Sequence, residues 1–305
     1  MSPAFSLFFH QLLNGLTIGM VYALIALGYT MVYGVIQLIN FAHGEVFMAG
    51  GYLGLTAILL AAAVAPGMPF WLVLLFMIVF AMLGSALLGA LVEKIAYKPL
   101  RGAPKLTALI TSIGVSFFLQ NAVMLIYGAK EQSFPDIVPP LRLKLGPVSL
   151  SLIQIIIFIV ATGLMFFLTW FVKNTRTGKA MRAVAENPQA AQLVGISADR
   201  IIQATFILGS SLAAVGGSLF GLNYGSINFH DGYLAGLKAF TAAVFGGIGS
   251  IPGAMIGGIL LGVLEGLGAG YISSEWKDVF AFVILGAVLI FKPSGIMGEN
   301  VAEKV

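Results

Sequence analysis

The sequence predicts an all-α fold, a polytopic membrane helical bundle of about 8 to 9 transmembrane segments, one of them drawn as re-entrant or broken. Three observations carry that prediction. Of 305 residues, 59% are hydrophobic and only 9% are charged, with a mean hydropathy of +1.00, whereas soluble globular domains carry about 25% charged residues. Uncharged runs recur at 46–92, 106–129, 145–172, 201–230 and 239–264, and a helix crossing the hydrocarbon core needs roughly 20 such residues. The runs are continuously apolar, whereas barrel strands alternate.

The elements follow in order. Span one covers about 6–33 and span two about 38–64, and the turn Pro66-Gly67-Met68-Pro69 separates the latter from span three at about 70–92. The loop 93–105 holds Lys94, Lys98, Arg101 and Lys105 against Glu93 alone, so the positive-inside bias places it in the cytoplasm. Span four follows at about 104–127. The segment 128–150 contains Pro135, Pro139, Pro140 and Pro147, which stop a helix from running through it, and it reads as an outer loop on the membrane surface. Span five, about 151–172, returns the chain to the cytoplasm, and span six leaves at about 204–222. Residues 234–250 are apolar but short and glycine-rich before Pro252, and such backbone is tolerated at membrane depth only when packed in protein or lining a cavity. The last span, about 277–292, ends at Lys292-Pro293. Charge parity places the N-terminus outside, and the first span reads as a full crossing without a basic region before it, so no cleavable signal is expected.

Between spans five and six lies a charged island, 173–203, with Lys173, Arg176, Lys179, Arg182, Glu186, Asp199 and Arg200. Five of these seven are basic, so the island is predicted to be cytoplasmic. Asn187-Pro188 reads as an N-cap and first-turn proline and Gly195 as a stop, which makes 188–194 a short helix, with another from Lys179 to Glu186. Two short helices in a loop make a knob. Its small apolar residues, Ala183, Ala185, Ala190, Ala191, Leu193 and Val194, suit a docking element better than a solvated loop.

Glycines form the second pattern. Gly258, Gly262, Gly266 and Gly270 recur every four residues after Ala254, and Gly249, Gly253 and Gly257 repeat the interval alongside. Small residues at that spacing let helix backbones approach closely, which is how helices pack where no hydrophobic effect acts between them.

Ionisable residues inside apolar segments are few: His10, His43, Glu45 and Glu265, with Lys238 close to an edge. Each is a functional candidate because charge in a bilayer is costly. His43 and Glu45 lie two apart and point away from one another on a helix, which is not the HExxH metal pattern. The alternatives are a helix end near the cytoplasmic interface for those two and a carboxylate hydrogen-bonded to a neighbouring helix for Glu265.

The function classes narrow by what the sequence lacks. There is no cysteine, hence no disulfide and no zinc-thiolate site. The net charge of +4 sits in loops and speaks of topology, not of nucleic acid. No GxxxxGK[ST] loop, GxSxG elbow or histidine-rich metal site appears. An intramembrane enzyme is disfavoured, and the chain has no means of its own to spend ATP in the P-loop manner. A secondary transporter usually carries several buried acids or histidines, and few are present.

Three runs carry a family resemblance: Asn40-Phe41-Ala42-His43-Gly44-Glu45, then Arg182-Ala183-Val184-Ala185-Glu186-Asn187-Pro188 with Ala190, Ala191 and Gly195-Ile196, then Phe245-Gly246-Gly247-Ile248-Gly249-Ser250-Ile251-Pro252-Gly253-Ala254. They resemble, over nearly the whole chain, the permeases of bacterial high-affinity branched-chain amino-acid ABC transporters of the LivH type. That resemblance implies a single transmembrane permease domain over 1–305, multi-pass in the bacterial inner membrane. It implies a second, LivM-like permease, two ATPase subunits that bind ATP and Mg, and a periplasmic amino-acid-binding protein, with no cofactor held by this chain. It further implies that the island is the coupling loop, through Lys179, Arg182, Ala183, Glu186, Asn187, Pro188, Ala190, Ala191 and Gly195. The polar residues Asn14, Asn40, His43, Glu45, Thr107, Thr111, Gln120 and Asn121 are candidates for a translocation path, with interhelical hydrogen bonding as the other reading of each. An ion-coupled secondary transporter or channel for small polar solutes, or an ABC permease for amides or urea, stands as the alternative.

Overall fold

The computed structural model describes residues 3–145, 148–292 and 294–298. Helix α1 (Pro3–Ile36) is followed by α2 (His43–Val64), α3 (Phe70–Val92), α4 (Lys105–Tyr127), α5 (Leu152–Asn174), α6 (Arg176–Glu186), α7 (Pro188–Leu193), α8 (Ala198–Tyr224), α9 (Asp231–Gly246), α10 (Ile251–Tyr271) and α11 (Lys277–Phe291). Four short strands complete it: β1 (Gln132–Ser133), β2 (Arg142–Leu145), β3 (Val148–Ser151) and β4 (Ser226–Ile227).

Among the described residues, seven helices are long and apolar enough to cross a membrane: α1 to α5, α8 and α10. The expected eight or nine crossings are not confirmed, because α9 and α11 have only 16 and 15 residues, about 24 Å at 1.5 Å per residue. Three boundaries also differ from the sequence reading. Span two begins at His43, since Gln37 sits at φ 52° and the chain stays non-helical to Asn40. The basic loop after span three shrinks to its last residues, because α3 continues through a π turn (Glu93–Tyr97) and a 3-10 turn (Lys98–Leu100). The outer segment holds a hairpin, β2 paired antiparallel with β3, while β1 pairs with β4.

Helix directions follow from glycine contacts. A carbon added to Gly258 would lie 2.5 Å from the Ala23 Cα, and one added to Gly266 would lie 2.6 Å from the Gly15 Cα, so α10 runs antiparallel to α1. Gly28 faces both His43 and Gly209, while Gly50 and Gly54 face Ala214 and Ser218. Helices α2 and α8 therefore run together, against α1. Here the backbones themselves are in contact, and van der Waals packing at that range holds the bundle.

The position of α9 follows from these directions. Its first turn sets Gly232 and Gly236 on Gly44, at the start of α2, and its last turn sets Gly246 on Gly253, at the start of α10. Both ends abut the starts of two helices that run the same way, and both starts are about level with Gly28. So α9 lies across the bundle axis, as a single unbroken helix too short for a full crossing. Its terminal carbonyls, Phe245 and Gly246, accept from the backbone amides of Ile296 and Met297 at 2.9 Å each, which satisfies groups a helix end leaves open.

The island helices are locally capped. Ser151 and Gln154 form a capping box at the start of α5, Thr175 caps α6 by accepting from the Gly178 amide, and Asn187 caps α7 by accepting from the Gln189 and Ala190 amides. Gly195 sits at φ 84°, a left-handed position natural to a residue that stops a helix.

Replacing Gly262 by leucine is predicted to prevent α1 and α10 from closing, because its added carbon meets Gly15 and Gly19 backbone. Size-exclusion chromatography of the solubilised variant should show aggregate in place of the monodisperse wild-type peak.

Candidate functional site

At one end of the bundle α6 and α7 stand off the membrane helices. Gly178, Met181, Val184 and Ala191 face inward, while Lys179, Arg182, Glu186, Asn187, Pro188, Ala190 and Gly195 are exposed and Ala183 is half-buried. Arg182 donates to the Lys173 carbonyl at 3.3 Å. At the end of α7, Leu193 and Val194 are 89% and 75% exposed. Two bulky apolar side chains thus lead the knob, carried by a helix pair whose own inner face is already packed.

An ionic fork ties the knob to the rest of the bundle. Arg101 reaches both Asp199, in the first turn of α8, and the buried Glu93, and Lys98 lies 3.1 Å from Asp199. The Asp199 contacts are half exposed and worth little by themselves; the buried Glu93 is the carboxylate that needs its partner. Four residues on, Tyr97 donates to the Asn40 Oδ1 at 2.9 Å, and that oxygen also accepts from the Ala42 amide at 3.1 Å. Asn40 therefore fixes the entry into α2. The two basic segments, both predicted cytoplasmic, lie on one end of the bundle, and the fork between them is a contact that sequence separation hides.

Deeper in the protein Lys238 binds two carboxylates, Glu265 at 2.8 Å and Asp278 at 2.6 Å. The Tyr22 hydroxyl donates to the second Glu265 oxygen at 2.9 Å, and the Lys238 ammonium stands 5.7 Å from the Tyr22 ring centre. This cluster joins α1, α9, α10 and α11 beside a cavity of about 270 Å³ that also meets Glu131, Ser226 and Asp231. Sequence reasoning flagged Lys238 and Glu265 singly and missed Asp278. Two lone charges of opposite sign in apolar runs were the available signal for the pair.

The polar candidates scatter. Asn14 is exposed and accepts from Gln154 at 3.2 Å, and Asn121 donates to the Phe117 carbonyl within α4. Thr107 and Thr111 are half-buried on α4, and His10 is half-buried near the start of α1. His43 and Glu45 are both 1% exposed and do diverge. The His43 ring packs on Tyr29, with centres 4.8 Å apart, whereas Glu45 accepts from Ser116 at 3.1 Å. Gln120 bonds His230 at 3.0 Å and shares a cavity with Glu45. Of the glycines, Gly258, Gly262 and Gly266 meet α1, Gly253 and Gly257 meet Gly246, Gly270 meets Gln11, and Gly249 lies in the turn before α10 at φ 93°.

The model of the family described as branched-chain amino acid transport system / permease component matches residues 11–289. The chain belongs to this family. Among curated relatives, the high-affinity branched-chain amino acid transport system permease protein BraD of Pseudomonas aeruginosa is 48% identical over 303 residues, 98% of each chain. The corresponding LivH protein of Escherichia coli is 46% identical over 312 aligned positions, 100% of each chain. A probable LivH protein of Methanocaldococcus jannaschii is 28% identical, over 91% of this chain and 88% of its own. The seven spans and these relatives make the chain a multi-pass bacterial inner-membrane protein.

Within this permease, Lys238→Met should leave Glu265 and Asp278 without their shared cation and destabilise the bundle by about 3–5 kcal/mol. Thermal unfolding of the purified protein should show the loss, and adding Glu265→Gln to the same chain should recover part of it.

Proposed function

We propose that the chain is a transmembrane permease subunit of an ATP-driven importer for branched-chain amino acids, leucine, isoleucine and valine. The observation that carries this reading is the near full-length identity to BraD and LivH, proteins named for that transport system. Substrate arrives on a periplasmic binding protein and crosses between this chain and a second permease. Two ATPase subunits bind ATP and Mg and perform the hydrolysis, so no catalytic step belongs to this chain.

Coupling is assigned to the cytoplasmic loop 173–203, and within it to Lys179–Ile196. The exposed Leu193 and Val194 suit an apolar cleft on an ATPase, and the exposed Arg182 and Glu186 suit its polar rim. Motion of the knob reaches the bundle by two routes. One is covalent, into α8 at Ala198. The other is the fork from Asp199 through Arg101 to Glu93, and from Tyr97 to Asn40 at the mouth of α2. Since α8 is packed backbone to backbone on α1 and α2, pushing the knob displaces those helices together. Such a displacement is driven by nucleotide only through its different affinity for the two states of the assembly.

Ala190 is exposed on α7, so Ala190→Asp should insert and fold normally. In proteoliposomes it should lose ATP-driven leucine uptake and, after gentle solubilisation, bring down less ATPase than the wild type. Normal uptake by this variant, or a wild-type chain that transports without any P-loop ATPase, refutes the proposal.

A further inference from the structure

We propose that the cavity beside Glu45 is a transit subsite that receives the ammonium group of an aliphatic amino acid. The cavity, about 190 Å³, lies between α1, α2, α4 and α9, and its walls include Glu45, Ser116, Gln120, Ile113, Phe117 and Leu237. Pockets that enclose drug-sized ligands run to about 300–1,000 Å³, so the occupant is small. Its surface is chiefly apolar, with one carboxylate in it.

The carboxylate is incompletely partnered. Glu45 is 1% exposed; Oε1 accepts from Ser116 at 3.1 Å, and Oε2 has no hydrogen-bond partner among the described residues. Among the described residues, no lysine, arginine or histidine lines the cavity. The contrast is with Glu265, where both oxygens are held and Lys238 supplies the charge. A buried carboxylate short of a donor is costly, and an arriving ammonium group provides both the donor and the charge. A metal cation is a poor fit, since such ions take several oxygen ligands and Glu45 supplies the single carboxylate among the lining residues.

Position supports the same reading. Ser116 is the middle residue of α4 (Lys105–Tyr127), which sets the cavity near mid-membrane. Transporter sites characteristically lie at that depth, and α9, the short helix laid across the bundle axis, forms one wall of the cavity. Its Gly232 leaves the space that the Glu45 Oε2 occupies. A side chain at 232 would collide with that oxygen. With the ammonium on Glu45, the aliphatic side chain of leucine would rest on Ile113, Phe117 and Leu237, and its carboxylate would turn to the other polar groups of the lining, Gln120 and the Tyr29 and Tyr233 hydroxyls.

The inference rests on the transport reading above, and the test separates the two. Leucine uptake and ATP hydrolysis are followed together in proteoliposomes holding the whole transporter, at saturating leucine-loaded binding protein. Glu45→Gln should lower leucine uptake by about tenfold or more, the range of a lost charge-assisted hydrogen bond, while ATP hydrolysis persists; Glu45→Asp should recover part of the uptake. Ile113→Trp, at a position 40% exposed, fills the cavity and should lower leucine uptake more than alanine uptake. Leucine uptake by Glu45→Gln close to wild type overturns the subsite and leaves the transport reading standing. If Glu45→Gln fails to insert, an Ile113→Trp variant with an unchanged leucine-to-alanine ratio overturns it instead. A wild-type transporter that carries no aliphatic amino acid under ATP overturns the transport reading itself.

Discussion

The architecture depends on backbone-to-backbone approach of α1 with α10 and with α8, and of α2 with α8. In a bilayer, lipid tails compete on equal terms with apolar side chains, so two helices stay together only if their surfaces fit closely. Gly15, Gly19 and Gly28 on α1 meet Gly258, Gly262, Gly266 and Gly209 on the partner helices. No side chain intervenes, and none can be inserted without moving a helix. The consequence is mechanical: α1, α2, α8 and α10 form one unit, while α3, α4 and α5 bury only a fifth to a quarter or so of their spans within this chain and are available to lipid or to another subunit.

This unit gives the charged island its meaning. The island is joined to α8 through the chain and to α3 and α2 through the Arg101 fork and Asn40, so α8 has no freedom to bend alone. The island lies between spans five and six, so a push on it meets both α5 and α8. The packing separates them: α8 is locked into the unit, and α5 is held far less tightly. Movement of the proposed coupling knob is therefore expected to rotate the unit as a rigid body against the proposed second permease, one of the recurring two-state switches at subunit interfaces.

Much of the fold was legible because its signals are local. The caps Asn187 and Gly195, the proline-rich segment 128–150 and the uncharged runs each act within a few residues, and the corresponding helices end within a few residues of where those signals lie. The expected eight or nine spans are not confirmed at α9 and α11, whose 16 and 15 residues fall short of the roughly 20 that a crossing needs. Apolar composition tells that a segment is out of water, but orientation across the bundle axis comes from Gly232, Gly236 and Gly246 meeting Gly44 and Gly253, contacts far apart in sequence. The helical continuation Glu93–Leu100 was hidden because basic residues mark a side of the membrane and not an end of a helix. The ionic fork and the Lys238 cluster were hidden likewise, since a partner 27 or 98 residues away leaves no trace in spacing. The candidate polar residues were chosen for being polar in apolar runs, and only tertiary packing separates Asn40, which holds a loop, from Glu45, which faces a cavity.

Rigidity of the α1, α2, α8 and α10 unit is tested most directly by distances between spin labels. The chain contains no cysteine, so labels can be placed at cysteines introduced at the exposed Gln189 and Val64, on opposite ends of the molecule, with a third on the second permease. In the assembled transporter, adding ATP should leave the Gln189–Val64 distance unchanged while the distance to the second permease shifts. A change within the chain as large as the change between the subunits would contradict the account.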